Sequence, residues 1–203
     1  MPEEFQRYGE QIAELHPGWE LIEWGARALP ELANQSLYDR AEAIAPENTG
    51  QFRADIARLE LLYMFGGVYL DCDMEPRKPL DPLLESVGLF AAWETDDVWI
   101  NNAIMGAPPA DPFIGALILG LGSSVRKHQG ARPNVMSGPQ YLTRMYRNFK
   151  PKMTLFPSKL FYPYGFSELD REGEDFPDAY LVHKWANKRS ARGITRPRNL
   201  RRR

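Results

Sequence analysis

Between Gln51 and Asp73 the sequence writes a helix, its stop and a strand in one unbroken run, and no other stretch limits the fold as much. Phe52, Ile56, Leu59 and Tyr63 recur at the helical period and mark one apolar face of a helix over 51–65. Gly66-Gly67 ends it, because glycine readily adopts the backbone that closes a helix C-terminus. Val68-Tyr69-Leu70-Asp71-Cys72-Asp73 follows as a strand that turns polar at its end. A helix feeding a strand through glycines belongs to an α/β fold, and such sheets bind ligands where strands end.

The rest of the chain supports that class. Phe5, Tyr8, Ile12 and Leu15 space a helix over 3–15, which His16-Pro17-Gly18 stops. Residues 19–24, WELIEW, read as a short aromatic strand. Residues 30–45 read as two short helices, and Glu47–Gly50 as a turn whose polar side chains cap the next helix. Pro76, Pro79 and Pro82 place a loop there. Gly88–Trp93, Val98–Ala107, Met153–Phe156 and Ala179–Trp185 read as further strands, Pro112–Leu121 as a helix, and Gly138-Pro139 as the start of another. The expected sheet is mainly parallel or mixed.

Charge and composition exclude several classes. Nine basic residues and no acid fall in 184–203, which leaves 16 basic against 27 acidic residues in 1–183, a formal charge of −11. A phosphate backbone needs a basic footprint, so this acidic body is not expected to bind nucleic acid. No apolar run approaches the ~18–20 residues of a membrane-spanning helix, and the N-terminus lacks the apolar region of a secretory signal, so neither is expected. The lone Cys72 excludes an internal disulfide and fits a reducing, cytoplasmic compartment.

The chemistry concentrates at the strand end. Side chains alternate along a strand, so Tyr69, Asp71 and Asp73 are expected on one face, with Cys72 on the other as a buried apolar filler. Paired carboxylates at the end of a buried strand are costly without positive charge nearby. A hard divalent cation, Mg²⁺ or Mn²⁺, suits such oxygens and keeps positions open for phosphate. A lone D-x-D is common on surfaces, however, and two solvated carboxylates are the plainer reading. For Asp55 and Arg58, at i and i+3, spacing alone favours an exposed ion pair. Asn101 and Asn102 either bind ligand hydroxyls or end a strand. His16 and His128 read as surface residues, and His183 as a core histidine or a ligand. Trp24, at a strand end, is a candidate to line a ligand pocket. Gly138 opens a helix whose N–H groups could meet a phosphate.

The run D-I-A-R-L-x-x-L-Y-x-x-G-G-V-Y-L-D-C-D, Asp55 to Asp73, resembles the D-x-D region of a glycosyltransferase family. That family includes the yeast initiating α-1,6-mannosyltransferase and bacterial capsular and surface-polysaccharide sugar transferases, and the catalytic domains of the large clostridial glucosylating toxins are related to it. The opening P-x-x-F and HPGW-E-L-x-x-W (residues 2–24), Asn101-Asn102-Ala103-Ile104, Ser137-Gly138-Pro139 and Val182-His183-x-Trp185 are similar to the family as well.

The resemblance implies a GT-A-like α/β fold over residues 1–186; residues 187–203 lie beyond it, lack periodicity and are expected to form a basic, disordered tail. It implies a UDP- or GDP-linked sugar donor, a glycan or lipid-linked acceptor, a divalent metal and retention of anomeric configuration. Asp73 would then bind the metal directly. Asp71 would bind ribose and metal, and His183 would lie near the diphosphate as a third ligand. Tyr69 would contact the nucleotide, Asp55 the ribose or sugar hydroxyls, and Arg58 the donor near the scissile bond. The family usually opens with an additional strand that this sequence lacks, so exposed sheet edge and apolar surface are expected. Two other readings remain open. One is a catalytically impaired subunit that binds nucleotide or a partner. The other is a phosphohydrolase with the first Asp of D-x-D as nucleophile, against which Met74 stands in place of the usual Thr or Val. The tail could hold the protein peripherally on the anionic inner face of a membrane. Acceptor choice is assigned to residues 122–136 and 157–178, which carry no readable code.

Overall fold

The computed structural model describes residues 2–186. In chain order the elements are α1 (Glu3–Leu15), α2 (Gln35–Asp39), α3 (Ala41–Ile44), α4 (Thr49–Phe65), β1 (Gly67–Leu70), β2 (Met74–Pro76), α5 (Asp81–Leu84), β3 (Phe90–Thr95), β4 (Trp99–Ala107), α6 (Pro112–Lys127), α7 (Pro133–Met136), α8 (Pro139–Phe149), β5 (Thr154–Phe156) and β6 (Leu181–His183). The basic residues beyond 186 lie outside the described residues.

The main sheet runs β1-β4-β3-β5. Its first two pairings are antiparallel, and β3 pairs with β5 in parallel. The sheet is therefore mixed, within the range expected. One face carries α4, α6 and α8 through Phe52, Ile56, Leu59, Met105, Ile114 and Leu117. The other carries α1 and the β2-β6 ribbon through Ile12, Met74, Ile104, Phe161, Leu181 and Val182. Neighbours Ile104 and Met105 point to opposite cores, as alternation along β4 requires. With both faces covered, β4 reads as an almost continuous buried run.

Gly66 closes α4 at φ +68°, and its N–H donates to the Leu62 carbonyl at 2.9 Å. A Cβ there would lie 2.6 Å from the Pro109 ring, so both conformation and space demand glycine. Asp111 caps α6 by accepting from the Phe113 and Ile114 N–H groups, and that helix continues past the expected Leu121.

Several expectations are corrected. Residues 19–24 form no strand: the segment is largely exposed and pairs with no ladder, and Trp24 stacks on Phe65 at 5.5 Å. β1 lies at the edge of its sheet, beside a groove lined by Trp19, Val68, Leu84, Val87 and Phe90. Leu21, Ile22 and Phe65 are exposed nearby in sequence to these elements. The polar turn before α4 is a 3-10 turn, Pro46–Asn48, without a side-chain cap, and Thr49 Oγ1 donates back to the Ala45 carbonyl. The proline-rich stretch holds β2 and α5. His16 is not a surface residue: it is 1% exposed. The Leu80 N–H donates to its Nε2, so Nδ1 carries the proton and donates to the Ile12 carbonyl.

Candidate active site

Two elements of α4 and β1 supply the inner layer of the site. Asp55 and Arg58 are 1% and 2% exposed, not on a solvated helix face. The helix is buried on most sides, Glu60 included, whose carboxylate accepts from the Ala33 and Asn34 N–H groups. Tyr63, expected on the apolar face, is 39% exposed. Arg58 Nη2 lies 3.3 Å from Asp55 Oδ1 and 3.2 Å from Asp71 Oδ1. Its Nη1 donates to the Asn102 carbonyl, and its guanidinium sits 4.7 Å from the Tyr69 ring centroid. The planar fork thus joins α4, β1 and β4 at one point.

Both Asp55 oxygens are engaged within the protein. Asn102 Nδ2 donates to Oδ1 at 2.9 Å and Ser137 Oγ to Oδ2 at 2.8 Å. Burial pushes the Asp55 carboxyl up to about 6, against Arg58 and these two hydrogen bonds. Burial also works against the Arg58 charge, but Asp71, Tyr69 and Asp55 outweigh it and the guanidinium stays charged. Gly138 abuts this carboxylate. A Cβ there would come 3.2 Å from Asp55 Oδ2 and 3.0 Å from the Asn134 backbone. The Gly138 N–H donates to the Pro133 carbonyl and is not open to a phosphate as expected. Gly138→Ala is therefore expected to cost ~1–3 kcal/mol by overpacking, read as a lowered unfolding midpoint; a midpoint within error of the parent would contradict this packing.

The strand ends at Leu70, and Asp71, Cys72 and Asp73 form a turn, not a continuing strand. Two contacts still bring the aspartates together: the Asp71 N–H donates to the Ala103 carbonyl, and the Met74 N–H returns to the Asp71 carbonyl. The β2-β6 register then sets Met74 opposite His183. One oxygen each from Asp71 and Asp73 and one nitrogen of His183 lie within 4.8 Å of one another. Asp71 Oδ1 is held by Tyr69 Oη at 2.9 Å and by Arg58, which leaves Oδ2 for a cation. Asp73 Oδ2 accepts from the Ala186 N–H, while Oδ1 faces His183 Nε2 at 3.2 Å. Cys72 is exposed at the tip of the turn, not buried as expected. Partial shielding by the protein, then Asp73 and Asp71, push its thiol up to about 11, which leaves it a poor nucleophile.

The charges at this turn are mutually dependent. Burial raises the Asp71 carboxyl and the Tyr69 hydroxyl. Burial would raise Asp73 too, but His183 and the Ala186 N–H outweigh it and hold it down at about 2. Burial likewise opposes a charged His183, yet Asp73 and Asp71 raise it overall. Two carboxylates and an imidazole are a donor set that Mn²⁺ or Mg²⁺ accepts. Among the described residues His183 Nδ1 is buried without a hydrogen-bond partner, so Nε2 is the nitrogen aimed at the aspartates.

The structure brings Asp55, Arg58, Tyr69, Asp71, Asp73, Asn102 and His183 into one cluster. Asn101 points instead to Glu94, donating to Oε2 at 2.7 Å, while its Oδ1 accepts from the Ala103 N–H. Trp24, 37% exposed, lies against the C-terminal end of α4 and does not join the cluster. Ser137, Glu94 and Tyr162 are neighbours of the site that sequence reading did not single out. Ser137 stood in a recognised tripeptide, but Glu94 and Tyr162 carried no signal.

The mixed sheet between helical and ribbon layers, with acidic side chains at the turn after a strand, is a GT-A-like fold. The solved PaToxG glycosyltransferase superposes with a TM-score of 0.57 at 16% identity, over 74% of this chain and 64% of that one. Residues 2–88 match the glycosyltransferase sugar-binding region containing a DXD motif. Inositol phosphoceramide mannosyltransferase 1 of Schizosaccharomyces pombe is 29% identical over 153 residues, 72% of this chain and 47% of that protein. Inositol phosphoceramide mannosyltransferase 2 of the same yeast is 27% identical over 190 residues, 90% of this chain and 52% of that protein. The chain thus spans about half the length of these relatives.

Proposed function

We propose that the protein transfers a hexosyl group, with retention, from a GDP- or UDP-linked sugar to a hydroxyl acceptor, assisted by Mn²⁺ or Mg²⁺. The observation that carries this reading is the convergence of Asp71, Asp73 and His183 beside the buried Asp55–Arg58 pair. Mannosyl transfer by the two yeast relatives favours GDP-mannose as the first donor to try. A cation held by Asp71, Asp73 and His183 would neutralise negative charge growing on the departing diphosphate.

The chain's own residues do the remaining work. Arg58, fixed on three sides, adds a positive charge that does not reorganise when the bond breaks. Tyr69 and Arg58 hold Asp71 Oδ1, so its other oxygen is oriented before any ligand arrives. Asp55 reaches a donor hydroxyl only by exchanging Asn102 or Ser137, and otherwise positions Arg58. The acceptor oxygen bonds to the anomeric carbon on the face from which the diphosphate leaves. The diphosphate takes the bond's electron pair, and its oxygen takes the acceptor's proton.

A thermal-shift screen of UDP- and GDP-sugars, with and without Mn²⁺, tests the reading. A sugar nucleotide that stabilises the protein only with Mn²⁺ is the expected result; no stabilisation by any of them would overturn it. The proton on His183 must leave before Nε2 can ligate. Because His183 is raised by its carboxylate neighbours, Mn²⁺ affinity should fall about tenfold per pH unit below that raised value and level off above it. A Mn²⁺ titration from pH 6 to 8.5 reads this slope, and a flat profile would exclude His183 as a ligand.

The basic residues 187–203 lie outside the described residues, and their role is likewise proposed: to hold the protein on anionic lipid, at ~1 kcal/mol for each basic residue at the surface. Deleting residues 188–203 should weaken sedimentation with phosphatidylserine vesicles, and unchanged sedimentation would remove the idea.

A further inference from the structure

A cavity of about 320 Å³ lies between the outer end of β3 and the 158–168 loop. That volume is in the range of small-molecule sites. Glu94, Asp96 and Glu168 supply carboxylates to it, and Tyr162, Tyr164 and Phe166 supply aromatic surface. No lysine or arginine is among its lining residues. The loop is tied down independently of any ligand: the Ser158 N–H donates to Asp96 Oδ1 at 2.7 Å, and the Gly165 N–H to Glu168 Oε2 at 2.8 Å.

The cavity adjoins the cation cluster. Tyr162, one of its walls, sits edge-on to His183 with ring centroids 5.6 Å apart. Trp185 bridges the two regions, 4.2 Å from the His183 ring and 6.0 Å from Phe166. Tyr162 is 3% exposed, yet among the described residues its hydroxyl has no hydrogen-bond partner. The one backbone group it reaches is the Ile104 amide, too poorly placed for an ordinary hydrogen bond, with Asp71, Glu94 and Arg58 as its charged neighbours. A buried hydroxyl left unpaired is costly, and native proteins keep few without a reason. Glu94 is oriented by Asn101, whose amide donates to it.

These features match one ligand chemistry. Carboxylates accept pairs of hydroxyl protons, aromatic faces cover the C–H surface of a ring, and a lining whose charged groups are carboxylates, with Glu168 paired to Arg171 and Glu94 held by Asn101, disfavours phosphate. None of the lining residues falls within residues 2–88, so the cavity is built apart from the segment that carries Asp55, Arg58 and the two aspartates.

We propose that this cavity is the acceptor subsite and takes a neutral polyhydroxylated ring, a pyranose or a cyclitol, hydrogen-bonded by Glu94 and Tyr162. The inference rests on the sugar transfer proposed above and adds the acceptor class. Tyr162 is the shared wall, so a ring hydroxyl bound to it lies next to the diphosphate that must take its proton.

The test needs neither donor nor metal. Ligand-detected NMR on the full chain compares methyl α-D-mannopyranoside and myo-inositol with mannose 6-phosphate and myo-inositol 1-phosphate. At least one neutral ring should bind, and its phosphate at least tenfold more weakly. Tyr162→Phe should stay folded, since the hydroxyl's neighbouring backbone group is the Ile104 amide alone, and yet lose fivefold or more of that affinity. Glu94→Gln should lose a similar factor, and Phe166→Ala, at an exposed rim position, provides a variant that folds. Failure of both neutral rings to bind, tighter binding of the phosphates, or equal binding by the parent and both Tyr162→Phe and Glu94→Gln would overturn the assignment. Failure of the transferase reading shows separately, as an absence of donor binding with Mn²⁺. Where transfer is measured, Glu94→Gln should raise the acceptor KM tenfold and move the donor KM less than twofold.

Discussion

Asp73→Asn should reduce sugar transfer by ~10³-fold or more while the protein keeps its fold. Asparagine has the shape of aspartate, and its carbonyl can still accept from the Ala186 N–H that Asp73 Oδ2 now holds. What it removes is the negative charge opposite His183 Nε2, the group that would ligate the cation with Asp71. Circular dichroism and a melting curve check the fold, and donor turnover with Mn²⁺ reads the loss. Asp71→Asn should behave similarly and additionally loosen Arg58, because its Oδ1 carries both Arg58 and Tyr69. Activity within a few-fold of the parent in Asp73→Asn would remove the metal role from this turn.

Arg58→Ala should have the largest effect on stability, about 3–5 kcal/mol. Arg58 is the one cation within salt-bridge distance of Asp55 among the described residues, and Asp55 is buried with a carboxyl already pushed up to about 6. Removing the guanidinium leaves Asp55 with the Asn102 and Ser137 hydrogen bonds alone and takes away the cation it shares with Asp71. Set against a typical total of ~5–15 kcal/mol, the loss should bring unfolding into mild denaturant. Arg58→Lys separates charge from geometry: a point ammonium cannot serve Asp55, Asp71 and the Asn102 carbonyl together, so it should recover part of the stability and little of the turnover. Pairing Arg58→Ala with Asp55→Asn should recover more, since neighbouring groups couple. Urea unfolding of the three variants decides; Arg58→Ala within 1 kcal/mol of the parent would show that the pair carries no such weight.

The legible parts of the fold were those whose signal is local. α4, its glycine stop and β1 are written in side-chain period and backbone freedom, α6 in its apolar face and α8 in Pro at the first helical turn. The partnering of elements was not legible. Residues 19–24 carry the residue types of a strand, but a strand exists only with a ladder to join, and among the described residues they join none, although β1 leaves a sheet edge open. The burial of Asp55 and Arg58 escaped for a related reason. A single apolar stripe suggests a helix with a solvated back, whereas α4 is enclosed by the sheet, α6 and the α2–α3 segment, so its polar residues are interior and must satisfy one another.

The site was half legible. Asp71 and Asp73 were placed together by strand alternation, and a turn achieves the same meeting by another geometry. His183 arrives through the β2-β6 register, a pairing 109 residues apart that no local pattern encodes. The resemblance supplied it where periodicity could not. Glu94 and Tyr162 stand at the end of β3 and in an irregular loop, where neither period nor motif marks a residue.

The account depends on the turn after β1 binding a divalent cation. The most direct measurement is a Mn²⁺ titration followed by electron paramagnetic resonance, at pH 8 and without added nucleotide (whose diphosphate would itself chelate Mn²⁺), on the parent and on Asp73→Asn. The parent should quench the signal of about one equivalent of free Mn²⁺, and Asp73→Asn should leave it free. Mn²⁺ remaining free with the parent protein, or binding equally to both, would contradict the account.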